Sequence, residues 1–271
     1  MGLPMDLYIM RHGESEANAM DATLRGGDDS QFTEANIAVP DRCWRLTAMG
    51  RLQAAAMGDW IRGQRQVFDT YLVSPYTRTR ETAALLKLPN AQWLETRTMR
   101  ERSLGEIVTI VPEEYQRDYR RNAILRREDP MYWRAPAGDS IADVADVRAS
   151  AFVRWLDANA DGQEVMAVAH GDFMHALMMV LEDLSDEEFM FRISNRSWEF
   201  HNCICLHYTR RDPKTGHVGA TLSWVQTAWP EQDSRTGQWS THVEAWRTFQ
   251  RTKLSNEDLM EKVRAIKPHL N

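Results

Sequence analysis

The chain predicts an α/β fold: a three-layer arrangement in which a mostly parallel central sheet is covered by helices on both faces. Three observations predict it. Apolar runs of strand length at residues 7–10, 71–74 and 165–169 alternate with segments whose apolar residues recur at helical spacing. Parallel strands need such crossover helices, and the helices cover both faces of the sheet. Two of the runs also end alike, in histidine then glycine, at His12-Gly13 and His170-Gly171. In open α/β sheets the carboxyl edge of the strands is where ligands bind.

Taken in order, the first strand is Leu7 to Met10, and Gly13 supplies backbone freedom for a sharp turn after His12. Arg11 adds a planar cation suited to gripping a phosphate or carboxylate. Alone, the stretch reads equally as a nucleophile beside an anion clamp or as a histidine capping a turn. Residues 15–22 form a helix or loop, followed by a turn-rich loop at 25–30. A helix is expected over 47–62, capped by Thr47, with Met49, Leu52, Ala56 and Trp60 as its buried stripe. After the second strand, Pro75 suits the first position of a helix capped by Ser74 and carrying Arg78 in its first turn.

Residues 93–134 are less regular and rich in arginine, and 107–135 reads as a lid-like insertion. Ser140 and Asp143 make a capping box for a helix striped by Ile141, Val144, Ala151 and Trp155. The 165–169 strand leads into a helix through Met174, Leu177, Met178 and Leu181. Further strands are expected at 202–208 and 220–225, joined by a turn at 212–216, and a terminal helix is capped by Ser255 and Asp258. The whole of 1–271 reads as one domain with a C-terminal extension at about 210–271. Four tryptophans in that extension (Trp224, Trp229, Trp239, Trp246) favour burial. A lid flank and the surface of a homodimer are the alternatives.

Composition bounds the function. A net charge of −6 argues against a nucleic-acid protein. No run reaches the ~18 apolar residues of a membrane span, and the start of the chain lacks the n-region, apolar core and cleavage site of a secretory signal. Asp6 stands where a myristoylation signal wants Ser or Thr. The cysteines Cys43, Cys203 and Cys205 are odd in number, which points to a reducing, cytoplasmic setting. Arginine far outnumbers the five lysines, a bias read as genomic for the most part.

If the strand ends meet on one sheet edge, His12, His170, Arg11 and Arg78 surround one site. A phosphoryl group fits such a site best, since its transfer needs charge neutralisation and an aligned nucleophile. The segments Arg11-His12-Gly13-Glu14-Ser15-Glu16-Ala17-Asn18, Leu46-Thr47-Ala48-Met49-Gly50, Ser74-Pro75-Tyr76-Thr77-Arg78 with Glu81-Thr82-Ala83, and Val168-Ala169-His170-Gly171 occur in that order. Together they resemble the histidine phosphatase superfamily, in its phosphoglycerate mutase-like branch, over roughly residues 5–208. The resemblance implies the fold of that branch, no cofactor, no metal, and a small phosphorylated metabolite as substrate.

It further implies that His12 becomes phosphorylated while Arg11, Arg78 and His170 hold the phosphoryl oxygens, and that Glu101 protonates the leaving oxygen and then activates water. Gly13, Ser15, Asn18, Arg25, Arg102, Gly171 and Asn202 fall at substrate-side positions. Arg100 and Arg102 flank Glu101 and, if close in space, would favour its carboxylate over the acid. The spacing from Asn18 to Leu46 is longer than usual, which leaves Arg25 insecurely aligned. A phosphatase is favoured by Ser74 to Arg78 with Glu81 to Ala83; a phosphoglycerate mutase is the alternative, supported by Glu101-Arg102 with Gly105 and by Arg120-Arg121. A catalytically idle phosphate-sensing or protein-binding relative is a third reading. His175 lies five residues past His170, the wrong spacing for joint metal chelation on a helix. His201 and His207 read as structural, Arg80 as paired with a carboxylate, and Arg120-Arg121 as a solvated face.

Overall fold

The computed structural model describes residues 2–109, 114, 117–194, 200–249 and 253–266. The first strand, β1 (Asp6–Arg11), is buried on both faces because apolar residues occupy both parities of its pleat. Leu7 and Ile9 enter one core cluster, whereas Tyr8 and Met10 enter another on the opposite face. After α1 (Glu16–Arg25), α2 (Ala48–Gln64) leads to β2 (Thr70–Val73), α3 (Thr77–Leu85) and the short β3 (Trp93–Glu95). Residues 107–135 hold α4 (Arg120–Glu128), although 110–113 and 115–116 of that stretch lie outside the described residues. A continuous helix, α5, spans 141–159 and contains a π-turn at Val144–Ala149. It is followed by β4 (Glu164–Ala169), α6 (Gly171–Glu182) and α7 (Asp186–Ser194).

The extension contributes β5 (Cys205–Thr209), β6 (Trp224–Gln232), β7 (Trp239–Val243), β8 (Arg247–Thr248) and α8 (Asn256–Ala265). Strand order is β3-β2-β4-β1-β5-β6-β7, with β8 also pairing with β6. The pairs from β3 to β1 are parallel, and those from β1 outward are antiparallel. The register sets Met10 opposite Val168 and Val73 opposite Val168, so β1, β2 and β4 end side by side.

Two helical layers cover the sheet. Ala54, Met57 and Ile61 of α2 and Ala83 of α3 pack on the Tyr8 and Met10 face. Phe152 and Leu156 of α5, Phe173 and Leu177 of α6 and Phe189 of α7 pack on the Leu7 and Ile9 face. Burial of each such phenylalanine or leucine contributes ~1.5–3 kcal/mol.

Several expected details shift. Helix α2 does begin at a Thr47 cap, but its buried stripe is Gly50, Ala54, Met57 and Ile61. Met49 and Leu52 face solvent, because two glycines at 50 and 58 bring the small-residue face against its neighbours. In α5 the Ser140 and Asp143 capping box forms and Ile141 and Val144 are buried as expected, but the core face continues through Ala145, Ala149, Phe152 and Leu156, with Ala151 and Trp155 half-buried. Strand β5 starts at Cys205 rather than 202, because Cys203 takes a left-handed φ of 60° that a strand cannot hold. The strand expected at 220–225 instead runs from Trp224 to Gln232. The four tail tryptophans are half-buried. No described helix is long and apolar enough to cross a membrane.

Candidate active site

His12 follows β1 directly and is 2% exposed. Its backbone is fixed from both neighbours in the sheet: its N–H donates to the Ala169 carbonyl at 3.0 Å, and its carbonyl accepts from the Cys203 N–H at 3.1 Å. The ring is fixed as well. Nδ1 lies 2.7 Å from the Gly13 carbonyl, an acceptor only, so Nδ1 carries the proton and donates. Nε2 is then the lone-pair nitrogen, and it accepts from Nε of Arg78 at 3.1 Å. Burial, followed by the cations of Arg78 and Arg11, holds His12 well below the ordinary imidazole value. A neutral imidazole with an oriented lone pair results, which is the form a nucleophile requires.

Gly13 serves this arrangement differently from the sequence expectation. It does not occupy a left-handed conformation; a Cβ there would lie 2.4 Å from the Gly50 carbonyl oxygen. The glycine is required by the close approach of α2, and its N–H donates to Oγ1 of Thr82 at 3.0 Å.

Two guanidiniums flank the imidazole. Arg78, in the first turn of α3, is buried, donates through Nη1 to the Asp41 carbonyl at 2.7 Å and carboxylate at 3.1 Å, and lies over the Tyr76 ring at 4.9 Å. Arg11 donates through Nη1 to the Phe200 carbonyl, while its buried Nε has no partner among the described residues. Such an uncompensated buried donor suits an incoming anion.

His170 is the N-cap residue of α6 and is fully buried. Its ring meets that of His12 at 5.2 Å and that of Tyr76 at 4.8 Å between centroids. Nε2 pairs with Oγ of Ser74 at 2.8 Å, and Nδ1 has no described partner. Burial first, then Arg78, His12 and Arg11, keeps it well below the ordinary histidine value. The Ser74 contact corrects the helix-cap expectation: α3 begins at Thr77 after Tyr76, and Ser74 spends its hydroxyl on His170 instead.

Glu101 completes the cluster. Its Oε1 accepts from the backbone N–H groups of Arg102 at 2.9 Å and Phe173 at 3.3 Å, and its carbonyl accepts from Nη1 of Arg148 at 3.0 Å. Burial, reinforced by the negative charge of Asp172, pushes its carboxyl up to about 7 against the pull of Arg78 and Arg11. The flanking arginines do not hold it as a carboxylate, contrary to the expectation from adjacency. Arg102 donates to Oδ2 of Asp172 at 2.6 Å, and the Arg100 Nε donates to the Arg97 carbonyl at 3.2 Å.

The remaining candidates divide. Ser15 caps α1, and Asn18 closes its capping box. Asn202 donates to the His12 carbonyl at 3.3 Å and to Oδ1 of Asn18 at 3.2 Å, so the three brace the loop after β1. Gly171 opens α6 against Nε of Arg11. Arg102 lies over the Trp133 ring at 5.6 Å and binds Asp172 through its side chain and Glu101 through its backbone N–H. Arg25 is not among the contacts that hold the cluster; it is exposed and paired with Asp21 at 2.8 Å.

His207 pairs with Asp6 at 2.8 Å and stacks on Tyr8, Arg80 pairs with Glu95, and Arg120 and Arg121 are exposed, as their sequence contexts suggested. Sequence reasoning missed Ser74, Asp41 and Asp172 as members of the site. Asp172 stood directly after the Val168-Ala169-His170-Gly171 segment, whereas nothing local marked Asp41. Among the described residues no group of three or more His, Cys, Asp or Glu side chains is arranged to hold a metal ion.

A family model, that of the histidine phosphatase superfamily (branch 1), matches residues 7–203. The 6-phosphofructo-2-kinase/fructose-2,6-bisphosphatase 1 of Mus musculus is 29% identical over 187 residues, covering 68% of this chain and 34% of that protein. The matched region thus spans about a third of the length of such relatives. Among solved structures, the α-ribazole phosphatase of Shigella flexneri superposes with a TM-score of 0.59 at 18% identity, over 81% of this chain and 96% of that one. A phosphoserine phosphatase of Entamoeba histolytica in complex with 3-phosphoglyceric acid gives 0.54 at 20% identity, over 79% and 93%. These structures share the phosphoglycerate mutase-like α/β fold.

Proposed function

We propose that this chain, which belongs to the histidine phosphatase superfamily (branch 1), is a phosphomonoester hydrolase working through a phosphohistidine on His12. The observation that carries the reading is the ring of His12, protonated at Nδ1 against the Gly13 carbonyl and offering Nε2 beside Arg78. In the first step Nε2 attacks phosphorus, the ester P–O bond breaks, and the leaving oxygen takes the proton of Glu101. In the second, the Glu101 carboxylate takes a proton from water, the water oxygen attacks phosphorus, and the N–P bond breaks to release phosphate and neutral His12. Arg11, Arg78 and His170 stabilise the oxygens on which charge gathers.

A small phosphorylated metabolite is the proposed substrate, in keeping with the relatives named for a fructose bisphosphate and for phosphoserine. A cytoplasmic setting goes with that substrate class. Labelling with a phosphate donor tests the nucleophile: an acid-labile, base-stable label that disappears in His12→Ala is expected, and a label that survives the substitution removes His12. Glu101→Gln tests the acid. It is expected to slow turnover of alkyl phosphates far more than of p-nitrophenyl phosphate, and equal losses for both would remove Glu101 from that role. Conversion of 3- to 2-phosphoglycerate faster than hydrolysis of either would replace the hydrolase by the mutase.

A further inference from the structure

Asp172 is a charged group in this site that the proposed steps leave without a task. It stands in the first turn of α6, and its Oδ2 accepts from Nε of Arg102 at 2.6 Å, with Nδ1 of His175 at 3.9 Å from Oδ1. The side chain of Arg102 is only 10% exposed, and its guanidinium is further placed by the Trp133 ring. Arg102 is also the residue next to Glu101, and its backbone N–H already binds the Glu101 carboxyl. The Arg102 side chain thus adjoins two carboxyl-bearing residues, Glu101 along the chain and Asp172 through space, and its hydrogen bond is to Asp172.

We propose that Asp172 is a positioning residue that holds the Arg102 guanidinium away from Glu101, leaving the Glu101 carboxyl available as the acid. The arrangement resolves an otherwise self-defeating sequence, in which the proton donor adjoins a permanent cation. Asp172 acts twice, by occupying that cation and by setting a like charge beside Glu101, and the second effect accords with the raised Glu101 value. The other groups bearing on Glu101 are Arg78 from α3, Arg11 from β1, Arg148 from α5 and Tyr76 from the turn after β2. The cations among them pull towards the carboxylate, against burial and the charge of Asp172.

The inference rests on Glu101 being the acid, and the pH profile of kcat/KM for an alkyl phosphate separates the two claims. An acid active when protonated gives a profile that falls as pH rises past the free-enzyme value, here about 7. In Asp172→Asn that fall is expected to begin lower by ~1 unit or more, since a like charge is lost and a cation released. Removing the cation as well, in Asp172→Asn with Arg102→Gln, is expected to return the fall towards the wild-type position. Asp172→Glu, which keeps an anion for Arg102, is expected to stay closer to wild type than Asp172→Asn. A merely structural role would lower kcat/KM at every pH without moving the profile. An unmoved profile in a folded Asp172→Asn enzyme, with a wild-type fall that vanishes in Glu101→Gln, would overturn this inference alone. A wild-type profile with no Glu101-dependent fall would overturn both claims together.

Discussion

The two halves of the sheet are built from similar residues and do different work. In the parallel half, β1, β2 and β4 all end at one edge, and each delivers a polar side chain there: His12, Ser74 and His170. In the antiparallel half, successive strands end at opposite edges, and their histidines serve packing. His207 on β5 pairs with Asp6 and stacks on Tyr8, while His242 on β7 stacks on Trp229. The difference is one of direction. Parallel strands joined by crossover helices concentrate their carboxyl ends, and hairpins cannot.

Glu182 offers the strongest way to break this division. It is buried at the end of α6 and holds the antiparallel half through Arg247 at 2.7 Å, Arg192 at 2.6 Å and the Tyr208 hydroxyl at 2.9 Å. Removing its charge takes a buried anion from two half-buried guanidiniums and the Tyr208 hydroxyl, so Glu182→Gln is expected to cost ~3 kcal/mol of stability. Denaturant unfolding measures that loss, while kcat at low temperature is expected to hold. A fall in kcat without a fall in stability would mean that the second half takes part in the chemistry.

Gly13→Ala probes the parallel half from within. Its Cβ would strike the Gly50 carbonyl, so either α2 or His12 must shift. Overpacking of this kind costs ~1–3 kcal/mol, and misplacement of a reacting group by ~1 Å costs about 10²-fold in rate. Loss of kcat well beyond the loss of stability is therefore expected, and steady-state kinetics on the folded variant checks it. The reverse pattern would make Gly13 a folding residue only.

The smallest effect concerns pH. His12, His170 and His207 all titrate below the ordinary histidine value, chiefly because burial disfavours the imidazolium. As pH falls through about 6.5 the unfolded chain gains protons that the folded chain refuses, so their stabilisation is complete above that pH and declines below it. Asp6, held low despite burial by its bond to His207, adds a further loss towards the acid end. Thermal unfolding between pH 7 and pH 5 is expected to show the decline. His207→Gln is expected to flatten its slope by up to about 1.4 kcal/mol per pH unit, one proton's worth, without moving the pH profile of turnover. A slope left unchanged would show that His207 is not part of this linkage.

Much of the parallel half was legible in the chain. The runs ending in His12 and His170, the capping box at Ser140 and the placement of Arg78 all follow from spacing and local hydrogen bonding. The antiparallel half was less legible. Cys203 turns the chain out of extended conformation where the apolar pattern continues, and the nine-residue β6 includes Pro230 and four polar residues besides. The buried face of α2 also misled, because alanine and glycine carry the contact there and the larger Met49 and Leu52 do not.

By itself the sequence determined the α/β order of elements, the two histidines at strand ends and their arginine partners, because strand period, capping and turn chemistry act over a few residues. Only the tertiary structure decided how those groups are poised. Which His12 nitrogen keeps its proton depends on the Gly13 carbonyl set against Arg78. Whether Glu101 is an acid or a salt-bridged carboxylate depends on where Arg102 finds its anion, and that anion, Asp172, stands on a helix seventy residues away. Protonation is set by burial and by charges brought together through space, and neither is written in the spacing of neighbours along the chain.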